Sequence, residues 1–206
     1  EEAVRSLDRF MTQAVRGRRQ SSDAVSAVRA DLWTAVTEAA AGEPGVYALT
    51  APTGSGKTFA MLQFALAHAR QNQFKRVVLA VPYLSIIEQS AREYRKVFAE
   101  KPAEFILEHH SLAGIREAKS EAHKLDEAER QRRLHAENWD APIVITTNVQ
   151  LLESLFANRP SACRKLHKLR DAVVLFDEAQ TLPQHLAVPT LAALSLFNQG
   201  ATVAHV

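Results

Sequence analysis

The sequence predicts an α/β fold in which a mostly parallel sheet carries helices on both faces, and two observations predict it. Apolar runs of four to six residues alternate along the chain with longer stretches of helical periodicity. The runs are rich in Val, Ile and Leu with little polar alternation, as expected of strands buried on both faces. A strand that repeatedly hands over to a helix builds a parallel sheet between two helical layers.

The elements follow in order. Residues 3–16 and 22–41 have helical character and are separated by the basic turn Arg16-Gly17-Arg18-Arg19. They are expected to form a helical extension, residues 1–44, packed against a main domain of residues 45–206. The first strand, 46–50, passes through a glycine-rich turn into a helix over 58–70. Val77-Val78-Leu79-Ala80-Val81 marks a strand over 76–81, followed by a helix over 84–98. A strand over 105–108 precedes residues 116–137, whose closely spaced charges of both signs predict a solvated helix. Pro142-Ile143-Val144-Ile145-Thr146 predicts the next strand and 149–156 the next helix. Ala172-Val173-Val174-Leu175-Phe176 is the fifth strand, 183–197 a helix, and 202–206 the last strand. The sequence contains no internal repeat and no low-complexity segment.

Composition narrows the function classes. Among 206 residues, 25 Lys and Arg stand against 23 Asp and Glu, a net charge of +2, which excludes a polycationic tail. At 47% hydrophobic and 23% charged, the chain is an ordinary globular domain. The single cysteine, Cys163, excludes an internal disulfide and a thiolate metal site, so a reducing, cytoplasmic setting is expected. No apolar run approaches the ~18 to 20 residues of a membrane helix, and the N-terminal residues lack the apolar core of a signal peptide. The chain begins at Glu1 without a Met and stops at Val206 within an expected strand, so a piece of a longer protein is expected.

Directly after the first strand stands Ala51-Pro52-Thr53-Gly54-Ser55-Gly56-Lys57-Thr58. Its ending, Gly-x-Gly-Lys-Thr, is what a triphosphate requires. Glycines let the backbone close round the phosphates with successive N–H groups turned inward, and the following helix presents its positive end. Thr53, Gly54, Ser55, Gly56, Lys57 and Thr58 are therefore the expected ATP-binding residues. Lys57 reaches the β and γ phosphates, and the Thr58 hydroxyl holds Mg²⁺. The strict pattern wants Gly at the position of Ala51. An ordinary strand-to-helix turn is the plain alternative, and the position between strand and helix argues against it.

Far downstream, Val173-Val174-Leu175-Phe176 ends in Asp177-Glu178-Ala179-Gln180. An acidic pair at the C-terminal end of a parallel strand lies where open α/β sheets bind ligands. Asp177 suits a Mg²⁺ ligand partnering Thr58, and Glu178 suits a base that orients and deprotonates a water attacking the γ phosphate. Capping of the next helix is the plain alternative. Lys57 and Glu178 are thus the expected catalytic residues.

These two motifs resemble motifs I and II of superfamily 2 helicases, in which Ala commonly replaces the first P-loop glycine. Other segments resemble the helicase portion of the type I CRISPR-associated helicase-nuclease family. They are Val81-Pro82-Tyr83-Leu84-Ser85-Ile86-Ile87-Glu88-Gln89, Leu107-Glu108-His109-His110-Ser111, Asn138-Trp139-Asp140-Ala141-Pro142, Thr146-Thr147-Asn148-Val149-Gln150 and Cys163-Arg164-Lys165-Leu166-His167. The resemblance covers about residues 29–206. Motifs I and II are shared with many ATPases, and the segments 83–89 and 138–150 discriminate.

The resemblance implies the first RecA-like lobe of a two-lobed motor, recruited in the full protein to an RNA-guided surveillance complex. That motor pulls single-stranded DNA in the 3′ to 5′ direction in antiviral defence. It implies backbone contacts to DNA by Pro82, Ser85 and Gln89, further contacts by Thr146, Thr147 and Asn148, and a coupling role for Gln180. Contacts of that kind carry no sequence information, which suits a motor that grips every sequence alike. Near neutrality is no objection, since such a motor grips with N–H groups, hydroxyls and a few local cations. The family's nuclease carries a His-Asp dipeptide, absent here, so no nuclease activity is expected from this chain. The Ser/Thr-Ala-Thr coupling motif and the second RecA-like lobe, with its arginine finger, are expected beyond Val206. Because such a finger is worth ~10³ to 10⁵ in rate, the chain alone is expected to hydrolyse ATP very slowly. Gln20 and Arg29 are candidates for reading the adenine.

Other features carry less. His109-His110 lacks further ligands at zinc-like spacing, and packing or nucleic-acid contact is expected instead. Arg159, Arg164, Lys165, Lys168 and Arg170 suit a phosphate-attracting patch or a solvated loop and helix equally. Trp33 and Trp139 are expected in the core. A P-loop phosphotransferase, another superfamily 2 motor and a non-catalytic nucleotide-binding fragment are the rival readings. The Asp-Glu-Ala-Gln string disfavours the phosphotransferase, which needs no water-activating Glu.

Overall fold

Among the described residues, six strands form one sheet, and every pairing in it is parallel. This computed structural model describes residues 2–17, 23–110, 138–156, 165–197 and 202–205. In chain order the elements are α1 (Glu2–Gly17), α2 (Asp23–Ala39), β1 (Val46–Leu49), α3 (Lys57–Gln71), β2 (Arg76–Val81), α4 (Leu84–Val97), β3 (Ile106–His109) and β4 (Ile143–Thr147). There follow α5 (Asn148–Phe156), the single turn α6 (Leu166–Leu169), β5 (Ala172–Phe176), α7 (Gln184–Phe197) and β6 (Thr202–His205). The strand order is β1-β6-β5-β2-β4-β3.

The two-residue period of a strand sorts its side chains between two cores. Val77, Leu79 and Val81 of β2, Ile143 and Ile145 of β4, and Val173 and Leu175 of β5 face one of them. There they meet Ala60, Met61, Leu62, Phe64 and Ala65 of α3, and Ile87, Ala91 and Tyr94 of α4. The alternating residues Val78, Ala80, Val144, Val174 and Phe176 face the other core, with Leu151 and Leu155 of α5, Leu169 of α6 and Leu194 of α7. Every residue of β4 and β5 is buried, which is why β5 reads as an unbroken apolar run and β4 as one that ends in two buried threonines. At the sheet edge, β1 is alternately exposed and half-buried.

The N-terminal helices join the first core. Val4 and Leu7 of α1, with Val36 of α2 and Ala40 just beyond it, belong to the same buried cluster as the α3 face. Lys101 pairs with Glu2 and Arg9 lies 3.5 Å from Glu100, so α1 is also tied to the segment after α4.

All six expected strands are present, with their ends displaced by no more than a residue. Residue 105 falls in a 3₁₀ turn, Ala103–Phe105, so β3 starts at Ile106. The single turn α6 falls in the basic stretch for which a loop and helix is one of the two readings. The helix expected over 116–137, the candidate Gln20, and Arg159, Cys163 and Arg164 lie outside the described residues. Trp139 is fully buried and Trp33 packs against the first core, as expected. The basic stretch is less solvated than its composition implies. Lys165 is 8% exposed with Nζ 3.2 Å from Nε2 of His109, and Lys168 is paired to Asp140 at 2.8 Å.

Candidate nucleotide site

The phosphate loop leaves the C-terminal end of β1 and enters α3 at Gly56. Gly54 and Gly56 have φ of 79° and 90°, a region that costs an L side chain roughly 1–2 kcal/mol. Apart from the adjoining residues, no heavy atom of the described residues lies within 4 Å of where a Cβ would stand on either. Backbone conformation therefore demands glycine in these two places, and crowding does not. The Ser55 N–H turns back to the Pro52 carbonyl at 3.2 Å, closing the loop on itself.

Intrahelical bonding begins with Phe59 and Ala60, both donating to the Gly56 carbonyl at 3.1 Å. The N–H groups of Lys57 and Thr58 precede the first helical hydrogen bond and stand at the positive end of α3. Ser55 is buried, and its hydroxyl has no partner among the described residues. Lys57 is half-buried and has no ion-pair partner among them. An orphaned hydroxyl, a paired-glycine loop and an uncommitted lysine at one helix end fit a bound phosphate chain.

Asp177 directly follows β5, and its N–H donates to the Ala80 carbonyl at 2.9 Å, extending the pairing with β2 by one bond. Tyr94 on α4 links this acid to the phosphate loop. Its phenol is fully buried, its hydroxyl lies 3.5 Å from the Thr58 carbonyl, and burial, with the nearby Asp177 charge, pushes its pKa up. It therefore stays protonated. The phenol is thus bonded to the backbone of Thr58 and feels the charge of Asp177, two residues far apart in sequence. Their hydroxyl and carboxylate are hard oxygen donors, the chemistry that suits Mg²⁺.

Glu178 adopts φ 57° and ψ 54°, the left-handed region that a glutamate rarely enters. Two donors hold its carbonyl: the Thr181 N–H at 2.9 Å and the Thr181 hydroxyl at 2.8 Å. Its carboxylate accepts a hydrogen bond from Nε2 of Gln180. Backbone strain of this kind collects at functional sites.

The residues expected to touch nucleic acid divide into two groups. Ser85 and Gln89 are exposed at the start of α4, with Pro82 half-buried at the end of β2. Thr146, Thr147 and Asn148 are buried. The Thr146 hydroxyl donates to the His109 carbonyl at 2.8 Å, the Thr147 hydroxyl accepts from the Gln150 N–H at 3.2 Å, and Nδ2 of Asn148 donates to the Thr181 hydroxyl at 3.2 Å. Arg29 of α2 donates to the Gly54 carbonyl at 3.0 Å. Sequence reasoning missed Tyr94 and Thr181, because neither belongs to a spaced motif.

A sequence profile of the DEAD/DEAH box helicases matches residues 31–201, a span that holds both the phosphate loop and the acidic strand end. The CRISPR-associated nuclease/helicase Cas3 of Haloferax volcanii is 35% identical over 153 residues, which is 68% of this chain and 16% of that protein. The chain thus spans about a sixth of the curated relative it matches. T. fusca Cas3 with AMPPNP superposes with a TM-score of 0.65 at 21% identity, covering 86% of this chain and 20% of that one. The helicase domain of Pyrococcus furiosus Hef superposes with a TM-score of 0.56 at 19% identity, covering 84% and 31%. These structures share the RecA-like helicase fold observed here. With the profile spanning most of the sequence, the two motifs included, the chain belongs to the DEAD/DEAH box helicase family.

Proposed function

We propose that this chain is the ATP-binding first motor lobe of an ATP-dependent helicase or translocase that acts on single-stranded DNA in CRISPR antiviral defence. The observation that carries the nucleotide half of this reading is the phosphate loop at the start of α3, with Gly54 and Gly56 at positive φ, a buried Ser55 hydroxyl that has no partner among the described residues, and Lys57 as the first residue of the helix. The likeness to the Haloferax volcanii protein supports the CRISPR setting.

In this reading Thr53 to Thr58 hold the phosphates through loop N–H groups, and Lys57 binds the β and γ oxygens. Thr58 and Asp177 would hold Mg²⁺, which neutralises charge developing on the phosphate oxygens. Glu178 accepts a proton from the attacking water as the water oxygen bonds to the γ phosphorus and the bond to the ADP oxygen breaks. Gln180, bonded to the Glu178 carboxylate, keeps that base aimed and passes its state onward.

DNA contacts fall to Pro82, Ser85 and Gln89 at the β2–α4 junction. Thr146, Thr147 and Asn148 shape the start of α5, whose N–H groups meet the phosphates. A second RecA-like lobe supplies the arginine that completes hydrolysis, while a separate nuclease domain and an RNA-guided surveillance complex complete the machine. The setting is cytoplasmic. No helix among the described residues is long and apolar enough to cross a membrane.

ATP hydrolysis by the full-length protein tests the reading. Hydrolysis should rise on adding single-stranded DNA, and Lys57→Ala or Glu178→Gln should each lower it by roughly 100-fold or more. Hydrolysis indifferent to DNA, or transfer of the γ phosphate to an acceptor other than water, would sink it.

A further inference from the structure

A chain of side chains joins the start of α5 to the back of the catalytic glutamate. Nδ2 of Asn148, the first residue of α5, donates to the Thr181 hydroxyl at 3.2 Å. That hydroxyl donates in turn to the Glu178 carbonyl at 2.8 Å, helping to hold the left-handed backbone that aims the carboxylate. Asn148 and Thr181 lie 33 residues apart, on segments that follow different strands. One junction is the proposed DNA-binding segment, and the other is the acidic motif.

The chain has a second available arrangement. Oδ1 of Asn148 is buried and has no hydrogen-bond partner among the described residues, although an amide oxygen is a strong acceptor. The Thr181 hydroxyl carries one proton, so it bonds either the Glu178 carbonyl, as observed, or an amide oxygen turned toward it. In the second arrangement the Glu178 carbonyl keeps the Thr181 N–H and loses the hydroxyl. A shift of the start of α5 small enough to turn one amide would therefore loosen or tighten the strained turn at Glu178. Two discrete states of one hydrogen-bonded element are what a coupling between separate sites requires.

We propose that Thr181 and Asn148 are positioning residues through which DNA at the start of α5 sets the aim of Glu178. This inference rests on the motor reading above. It is tested in the full-length protein by the stimulation ratio, the kcat for ATP with saturating single-stranded DNA divided by the kcat without it. DNA affinity and melting temperature are measured beside it. Thr181→Val removes the exchangeable proton at nearly constant shape and should lower the ratio by about 5-fold, the effect of one lost hydrogen bond. The Kd for DNA should stay close to that of the parent protein. Thr181→Ser keeps the hydroxyl and should keep the ratio.

A Thr181→Val protein with an unchanged ratio overturns the relay while leaving the motor reading standing. So does a fall in kcat that is equal with and without DNA, or a Ser variant as impaired as the Val variant. A parent protein that DNA does not stimulate overturns the motor reading and the relay together.

Discussion

At the scale of single residues, the left-handed glutamate separates stability from function. Asn tolerates that conformation better than Glu, so Glu178→Asn should raise stability by up to about 1 kcal/mol while abolishing hydrolysis. Thermal melting and an ATPase assay on the same preparation check both halves. Gly56→Ala should act in the opposite sense. Its added Cβ meets no atom, yet φ of 90° is strained, so a loss of about 1–2 kcal/mol is expected, together with weakened nucleotide binding.

His109 sets a pH dependence. Burial first, then the nearby Lys165 and His110 charges, push its imidazole down to about 4 from the usual 6.5. A histidine depressed in the folded state gives up stability as the unfolded chain takes up protons. Its contribution is complete above about pH 6.5 and is lost as pH falls toward 4. Between pH 7 and pH 5 this group should cost about 2 kcal/mol, and His109→Gln should remove that part of the acid sensitivity in urea titrations.

At the scale of elements, the N-terminal helices are integral to the core. Leu7 of α1 is fully buried in the cluster that also holds Met61 and Phe64 of α3. Leu7→Ala should therefore cost about 3 kcal/mol, measured by denaturant unfolding, although it lies far from the phosphate loop in sequence. The same packing brings α2 over the loop, where Arg29 meets the Gly54 carbonyl. Composition at 3–16 and 22–41 indicates two helices. It says nothing of which sheet face they cover, since any amphipathic stripe can pack on either. The basic stretch around Lys165 shows a similar limit. Its charges read equally as a phosphate-attracting patch or a solvated loop and helix, but folding lays Lys165 against His109 and the Trp139 ring, 5.5 Å from the ring centre.

At the scale of the whole molecule, parallel crossovers bring the ends of β1 and β5 to one side of the sheet, with β6 between them. The phosphate loop and the acidic motif can then serve one ligand although more than a hundred residues separate them. Binding of nucleotide should consequently stabilise the entire fold. At 100 times its Kd, a nucleotide with Mg²⁺ should add about 2.7 kcal/mol, read as a rise in melting temperature that Lys57→Ala abolishes. What the sequence determined by itself was local in origin: alternating apolar strands and periodic helices, two glycines whose φ no other residue takes comfortably, and a Lys-Thr and an Asp-Glu placed at strand ends. Each of these is set by backbone geometry within a few residues, so one chain read alone suffices. The tertiary structure decided which distant groups meet. Tyr94 lies under Thr58 across 36 residues, Arg29 reaches Gly54 across 25, and Thr181 joins Asn148 across 33. Such pairings arise only when strand order and helix packing close the fold, because the contacts depend on positions in space that no local spacing encodes.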